Sequence, residues 1–320
     1  MKLLTTICTA LLIAGLATTV HAQDYTKYYQ NLPVELKQVT APVIPSNTVT
    51  LTEVGGVGDG LTLNTEAFKK GISKLSKLGG GHLNVPAGVW LTGPIQLKDN
   101  IDLHLEKNAL ILLDPDKQAH LRKGKVVPGI SASKRTDVCI TGEGIIDGNG
   151  EWWRGVKRGK VSDVEWNAFL RMGGTVDGSL WYPFGLKHFN DIADSFSAQE
   201  KMRTHLIRFT DCERVLIEGV TIQNSPKFHL APQRCREVTI EGVTVRCPWN
   251  AQNGDGIDLM QCRNVLVANC SVDVGDDGIC LKGGAGAEGV KNGPCQNILI
   301  ADNTVYHAHG GFVIGSEFSG

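Results

Sequence analysis

The sequence predicts an all-β protein wound as one single-stranded right-handed parallel β-helix, with a short capping helix at its N-terminal end. Three observations carry that prediction. Four segments align on a leading cysteine, at Cys212, Cys235, Cys262 and Cys295, with spacings of 23, 27 and 33 residues. Inside each segment apolar and polar residues alternate, break at a bend, and alternate again, which is the period of strands and not of helices. Glycine contributes 38 of 320 residues and recurs along the whole chain, as a fold made of strands and tight turns requires.

One such unit cannot bury its own apolar face, so the copies must stack. Stacked strands lie ~4.8 Å apart and set like residues in columns. The leading cysteines then form an interior column. A residue that recurs at one position of every rung reads as a small buried apolar group, so most of these thiols are expected to be free. A weaker copy, Thr136–Ile146, is aligned with Thr136 at the cysteine position.

Taken in order, residues 1–22 read as a secretory signal. Met1-Lys2 gives a basic start, Leu11–Ala17 belongs to an apolar run too short to span a bilayer, and Val20-His21-Ala22 offers a cleavage site. Export to the periplasm or the medium is expected, with no membrane span. Residues 23–48 form an N-terminal extension, and 49–320 the solenoid. Phe68, Ile72 and Leu75 fall on one face of a short helix that covers its open end, with Asn64 as N-cap. The glycines of Gly79–Gly88 lack any phosphate-loop order and read as turns. Residues 151–205 interrupt the repeat with four of the six tryptophans. They are expected to leave one rung and wall a groove, their aromatic faces either stacking on sugars or anchoring the excursion. A net charge of −1 argues against a nucleic-acid partner.

Aligned on their later strands, the rungs bring carboxylates together. Asp255-Gly256-Ile257 matches Asp277-Gly278-Ile279, and Asp276 and His309 share the position just before. Asp255 should stack on Asp277, and Asp276 on His309. Three carboxylates this close cannot all ionise comfortably, so at least one aspartate should keep a proton near neutral pH. That supplies a general acid beside general bases. An isolated Asp-Gly is usually only a turn, but Asn253-Gly-Asp-Gly, Gly275-Asp-Asp-Gly and His309 on successive rungs exceed what turns require. The same four side chains do not make a calcium loop, no G-x-S-x-G supports a serine triad, and neither metal nor cofactor is expected. Lys282, His229 and Lys227 lie at the matching face and are candidate substrate contacts, with Asn253.

In these residues the chain resembles glycoside hydrolase family 28, the polygalacturonases and their relatives. The motifs that carry the resemblance are Asn253-Gly254-Asp255, Gly275-Asp276-Asp277 and His309-Gly310, in that order. The resemblance implies a pectin-lyase-like solenoid, and hydrolysis of α-1,4-linked galacturonate in a pectic polysaccharide with inversion. Asp276 would be the general acid, Asp255 and Asp277 would activate water, and His309 would support Asp276. Inversion rests on the resemblance alone, since a ~4.8 Å rung spacing is shorter than the usual separation of acid and base in inverting enzymes. The family's Arg-x-Lys motif is not found before Gly320, so the chain is expected to be incomplete at its C-terminal end. Exo action is expected if the excursion closes one end of the groove, and a monomer is expected. Rhamnogalacturonan hydrolysis, a calcium-dependent pectate lyase and an inactive carbohydrate-binding solenoid stand as alternatives.

Overall fold

The computed structural model describes residues 24–185 and 194–320; the signal expected at residues 1–22 lies outside them. The chain winds as a right-handed parallel β-helix with three strand-bearing faces. The first face has eight strands, from Thr48–Thr50 and Gly81–Val85 at one end to Arg263–Ala268 and Gln296–Ala301 at the other. The second has seven, from Gly88–Thr92 to Thr304–His307. The third runs through Ile130–Ser133 and Ile207–Thr210, continues as isolated bridges at Leu230 and Gln233, and resumes as Ile257–Met260, Ile279–Lys282 and Phe312–Ile314.

Register follows the apolar columns. Val215, Val238, Val265 and Ile298 are stacked partners on the first face, and Ile222, Val245, Val272 and Val305 on the second. The early copy is shifted by one residue from its expected alignment: Val138 pairs with Val215, and Thr136 with Glu213 rather than Cys212. A slip of one would turn Val138 and Ile140 outward, so burial of those two side chains decides the register. The bend between first and second faces is left-handed in successive rungs, at Gly142, Gly219, Gly242, Asn269 and Asp302. Gly142 is obligatory there, because an added Cβ would overlap the Leu105 carbonyl.

All eight described cysteines are free. Cys212, Cys235 and Cys262 are buried and turn their thiols to backbone carbonyls, while Cys295 is partly exposed.

The capping helix spans Thr65–Lys77 and buries Phe68, Ile72 and Leu75 against the first rungs. Asn64 occupies the N-cap position but does not cap with its side chain. Its amide instead accepts from Val57 N–H at 2.7 Å and donates to the Val57, Thr62 and Leu91 carbonyls. It fastens the glycine-rich approach to the helix rather than the helix itself.

The N-terminal extension is a strap along the outside of the first face. Tyr25, Tyr28 and Val39 cover Leu266, Ala268 and Leu299. Farther along, Lys37 Nζ and Thr40 N–H both donate to Glu237 at 2.8 Å, and Val43 N–H donates to Asp137 at 3.0 Å. The strap therefore starts over late rungs and descends to the first one at Thr48. Among the described residues no helix is long and apolar enough to cross a membrane.

Candidate active site

The site is built from the turns that lead from the second face into the third. Ile257, Ile279 and Phe312 are stacked partners, which fixes the residues just before them. Gly256 N–H donates to the Asp277 carbonyl at 2.8 Å, and His309 N–H to the Asp276 carbonyl at 2.8 Å. Asp255 thus stacks on Asp277, and Asp276 on His309, in the expected register. One ligand atom each from Asp276, Asp277 and His309 lie within 4.8 Å of one another. Three such atoms are close enough to hold a metal ion, but the Lys160 ammonium, 3.5 Å from Asp276, already supplies a positive charge there.

The three carboxyl groups differ in surroundings. Asp255 is 3% exposed, and burial, followed by the charge of Asp276, pushes it up to about 7. Its Oδ1 has no hydrogen-bond partner. Asp276 and Asp277 are half-buried. Asp276 Oδ2 accepts the Asn253 N–H at 2.9 Å, and its Oδ1 lies 3.7 Å from Nδ1 of the exposed His309. Asp255 is the best match for the expected proton-holding aspartate, through burial more than through crowding.

The other expected contacts have separate fates. Lys227 lies half-buried three rungs before His309, on the face that carries the acids. Asn253 has a left-handed backbone that aims its N–H at Asp276, while its side-chain oxygen accepts from Arg203 at 2.9 Å. His229 is a correction. It is wholly buried, donates from Nδ1 to the Asp255 carbonyl at 2.8 Å and accepts the Ser225 N–H at Nε2, so it cannot touch substrate. Its ring holds up the backbone of Asp255 from inside the solenoid. Lys282 is also turned inward: it donates to the Gly315 carbonyl at 3.0 Å and pairs with Asp258 at 3.6 Å. Burial opposes its charge, but Asp258, Cys280, Asp255 and Glu317 together outweigh burial and raise its proton affinity.

Asp258 does not stand out from the motif spacing. It is fully buried, and burial pushes it well above the usual carboxylate range. The signal for it is a carboxylate between Ile257 and Leu259, where an apolar strand gains nothing from a charge.

The excursion also supplies unforeseen residues. The buried Arg154, near its start, donates to the Ser225 carbonyl and the Asn224 side chain, both at 2.6 Å. The buried Arg203, near its end, donates to the Pro226 and Gln252 carbonyls and to Asn253. Between them, Val156 bridges Ala251, and Lys160 donates to the Gly275 carbonyl at 2.8 Å. Three cations from one irregular segment thus hold the turns of three successive rungs. Trp153 and Trp181 are buried and Trp152 packs on Phe184, which makes them anchors. Trp166 is half-buried, with Arg158 over its ring at 5.6 Å.

A buried carboxyl group with raised proton affinity beside two half-buried ones suits general acid–base chemistry. Residues 161–320 match the profile of Glycosyl hydrolases family 28, and the chain belongs to that family. It is 30% identical over 307 residues to a probable polygalacturonase of Vitis vinifera, covering 90% of this chain and 55% of the relative. It is 30% identical over 302 residues to the exo-poly-alpha-D-galacturonosidase of Dickeya chrysanthemi, covering 87% and 49%. The structure of a hyperthermoactive exopolygalacturonase from Thermotoga maritima superposes with a TM-score of 0.70 at 34% identity, covering 88% of this chain and 65% of that one. The chain spans about half the length of the curated relatives it matches.

Proposed function

We propose that this chain hydrolyses α-1,4-galacturonosyl linkages in polygalacturonate, acting from chain ends and inverting the anomeric centre. The observation that carries this reading is the stack of Asp255 on Asp277 and of Asp276 on His309, at a proton-holding cluster beside the walled turns. Similarity to exo-acting galacturonosidases supports the substrate and the exo mode.

Asp276, half-buried and backed by His309, protonates the glycosidic oxygen as the bond to the anomeric carbon breaks. Asp255 and Asp277 take a proton from the water that attacks the opposite face. The cluster titrates as a unit. Its single proton rests on Asp255 in the free site and passes to Asp276 when the substrate is seated, which leaves Asp255 ionised for its task as base. The proton taken from water restores the starting state. Nothing else is consumed.

The signal-like residues 1–22 support export to the periplasm or the medium, and we read the protein as a monomer that meets pectic polysaccharide outside the cytoplasm. The test is product analysis of polygalacturonate incubated with the 320-residue chain in the presence of chelator. Expected are new reducing ends without unsaturated ends, lost in Asp276→Asn. Unsaturated ends would mean elimination and sink the hydrolase reading.

A further inference from the structure

An anionic sugar entering this site meets Asp255, Asp276 and Asp277, and a desolvated carboxylate among carboxylates is strongly disfavoured unless a cation receives it. Several nearby cations are already committed. Lys282 is 6% exposed and spent on Asp258 and the Gly315 carbonyl. Arg203 is buried and spent on Glu200, two carbonyls and Asn253.

Lys160 differs from both. Its side chain is 28% exposed, and its ammonium lies 2.8 Å from the Gly275 carbonyl and 3.5 Å from Asp276 Oδ2. Those two contacts use two of its three N–H donors and leave the third for a ligand. Its placement is fixed by the fold. Lys160 ends the short helical turn Arg158–Lys160, followed by the buried Val161; Arg158 N–H donates to the Ser179 carbonyl at 2.8 Å, and Val156 bridges Ala251 in the turn before Asp255. An ammonium held that way loses little freedom on binding, so its contact is preorganised.

We infer that Lys160 receives the carboxylate of a galacturonate flanking the scissile bond, and so makes the excursion a determinant of acid over ester. The inference rests on the hydrolase reading above and adds to it a residue outside the three motifs. A methyl-esterified unit keeps the size of the sugar but offers no charge to the ammonium. Lys160 should therefore discriminate between the two by a charge-assisted hydrogen bond rather than by shape.

The test compares oligogalacturonate with its fully methyl-esterified counterpart on the 320-residue chain, Lys160→Met and Lys160→Arg, by calorimetric binding and by initial rates. In Lys160→Met the preference for the free acid over the ester is expected to fall about tenfold. Lys160→Arg is expected to restore most of it. Each variant is scored as a ratio between two ligands on the same protein, so a general loss of folded molecules cancels. An unchanged ratio in Lys160→Met, on a chain that does cleave galacturonate, overturns the role of Lys160 and leaves the hydrolase standing. If the unaltered chain neither binds nor cleaves either ligand, the hydrolase reading falls, and this inference with it.

Discussion

His309 is seated on Asp276 twice, through its backbone N–H to the Asp276 carbonyl at 2.8 Å and through Nδ1, 3.7 Å from Oδ1. The backbone bond survives any substitution at 309 except proline, whereas the ring contact does not. His309→Ala should therefore fold normally and lower kcat about 10- to 100-fold with little change in KM. Steady-state kinetics on oligogalacturonate with a thermal melt checks both halves. A collapse of the melting temperature would mean that the ring is structural.

The proton on Asp255 makes stability depend on pH in an unusual direction. Its affinity is raised to about 7, chiefly by burial. Between about pH 4 and pH 7 the folded chain binds a proton that the unfolded chain has released, so stability falls as pH rises through that window. The loss is on the order of 3–4 kcal/mol for this group. Asp255→Asn should abolish hydrolysis and raise the melting temperature above pH 7. A melt-versus-pH curve that keeps the same slope between about pH 4 and pH 7 in Asp255→Asn contradicts the assignment.

His229 acts with the opposite sign. Burial pushes its ring down to about 4. Between about pH 4 and pH 6.5 the unfolded chain takes up a proton that the folded one refuses, so stability falls as pH drops. Removing the ring leaves the Ser225 N–H and the Asp255 carbonyl without these partners. His229→Ala is expected to cost about 2–4 kcal/mol in urea unfolding and to lower kcat through the displaced Asp255 backbone.

The free cysteines give a simple chemical test. Burial raises the proton affinity of Cys139, Cys270 and Cys280, and no described cysteine is paired. The native chain should react slowly with a thiol reagent, release all its thiols in denaturant, and keep its melting temperature when reductant is added. A drop in melting temperature with reductant would reveal a disulfide.

Whatever repeats is legible in the sequence. Val215, Val238 and Val265 recur at one position, and the same spacing is enough to stack Asp255 on Asp277 and Asp276 on His309. What escapes is set by direction or by irregular chain. His229 and Lys282 lie on the right rungs, but their side chains turn inward, and spacing does not report which way a residue beside a strand points. Lys160, Arg154 and Arg203 come from a segment without period, where no column exists to align them. Thr136 aligns one residue off by sequence because an apparent leading position outweighs the burial of Val138, which the folded chain puts first.

The strap has a consequence for how the chain comes to be folded. A solenoid whose rungs touch only their neighbours behaves as a row of nearly independent units, each free to fray. Here Tyr28, among the first described residues, donates to Glu241 at 2.6 Å, and Tyr25 and Tyr28 lie over Leu266 and Leu299. During synthesis the opening segment must wait, undocked, until more than two hundred later residues have emerged. Once it docks, no rung from Asp137 to Leu299 can open without loosening the same fastening, and a linear array melts as one body.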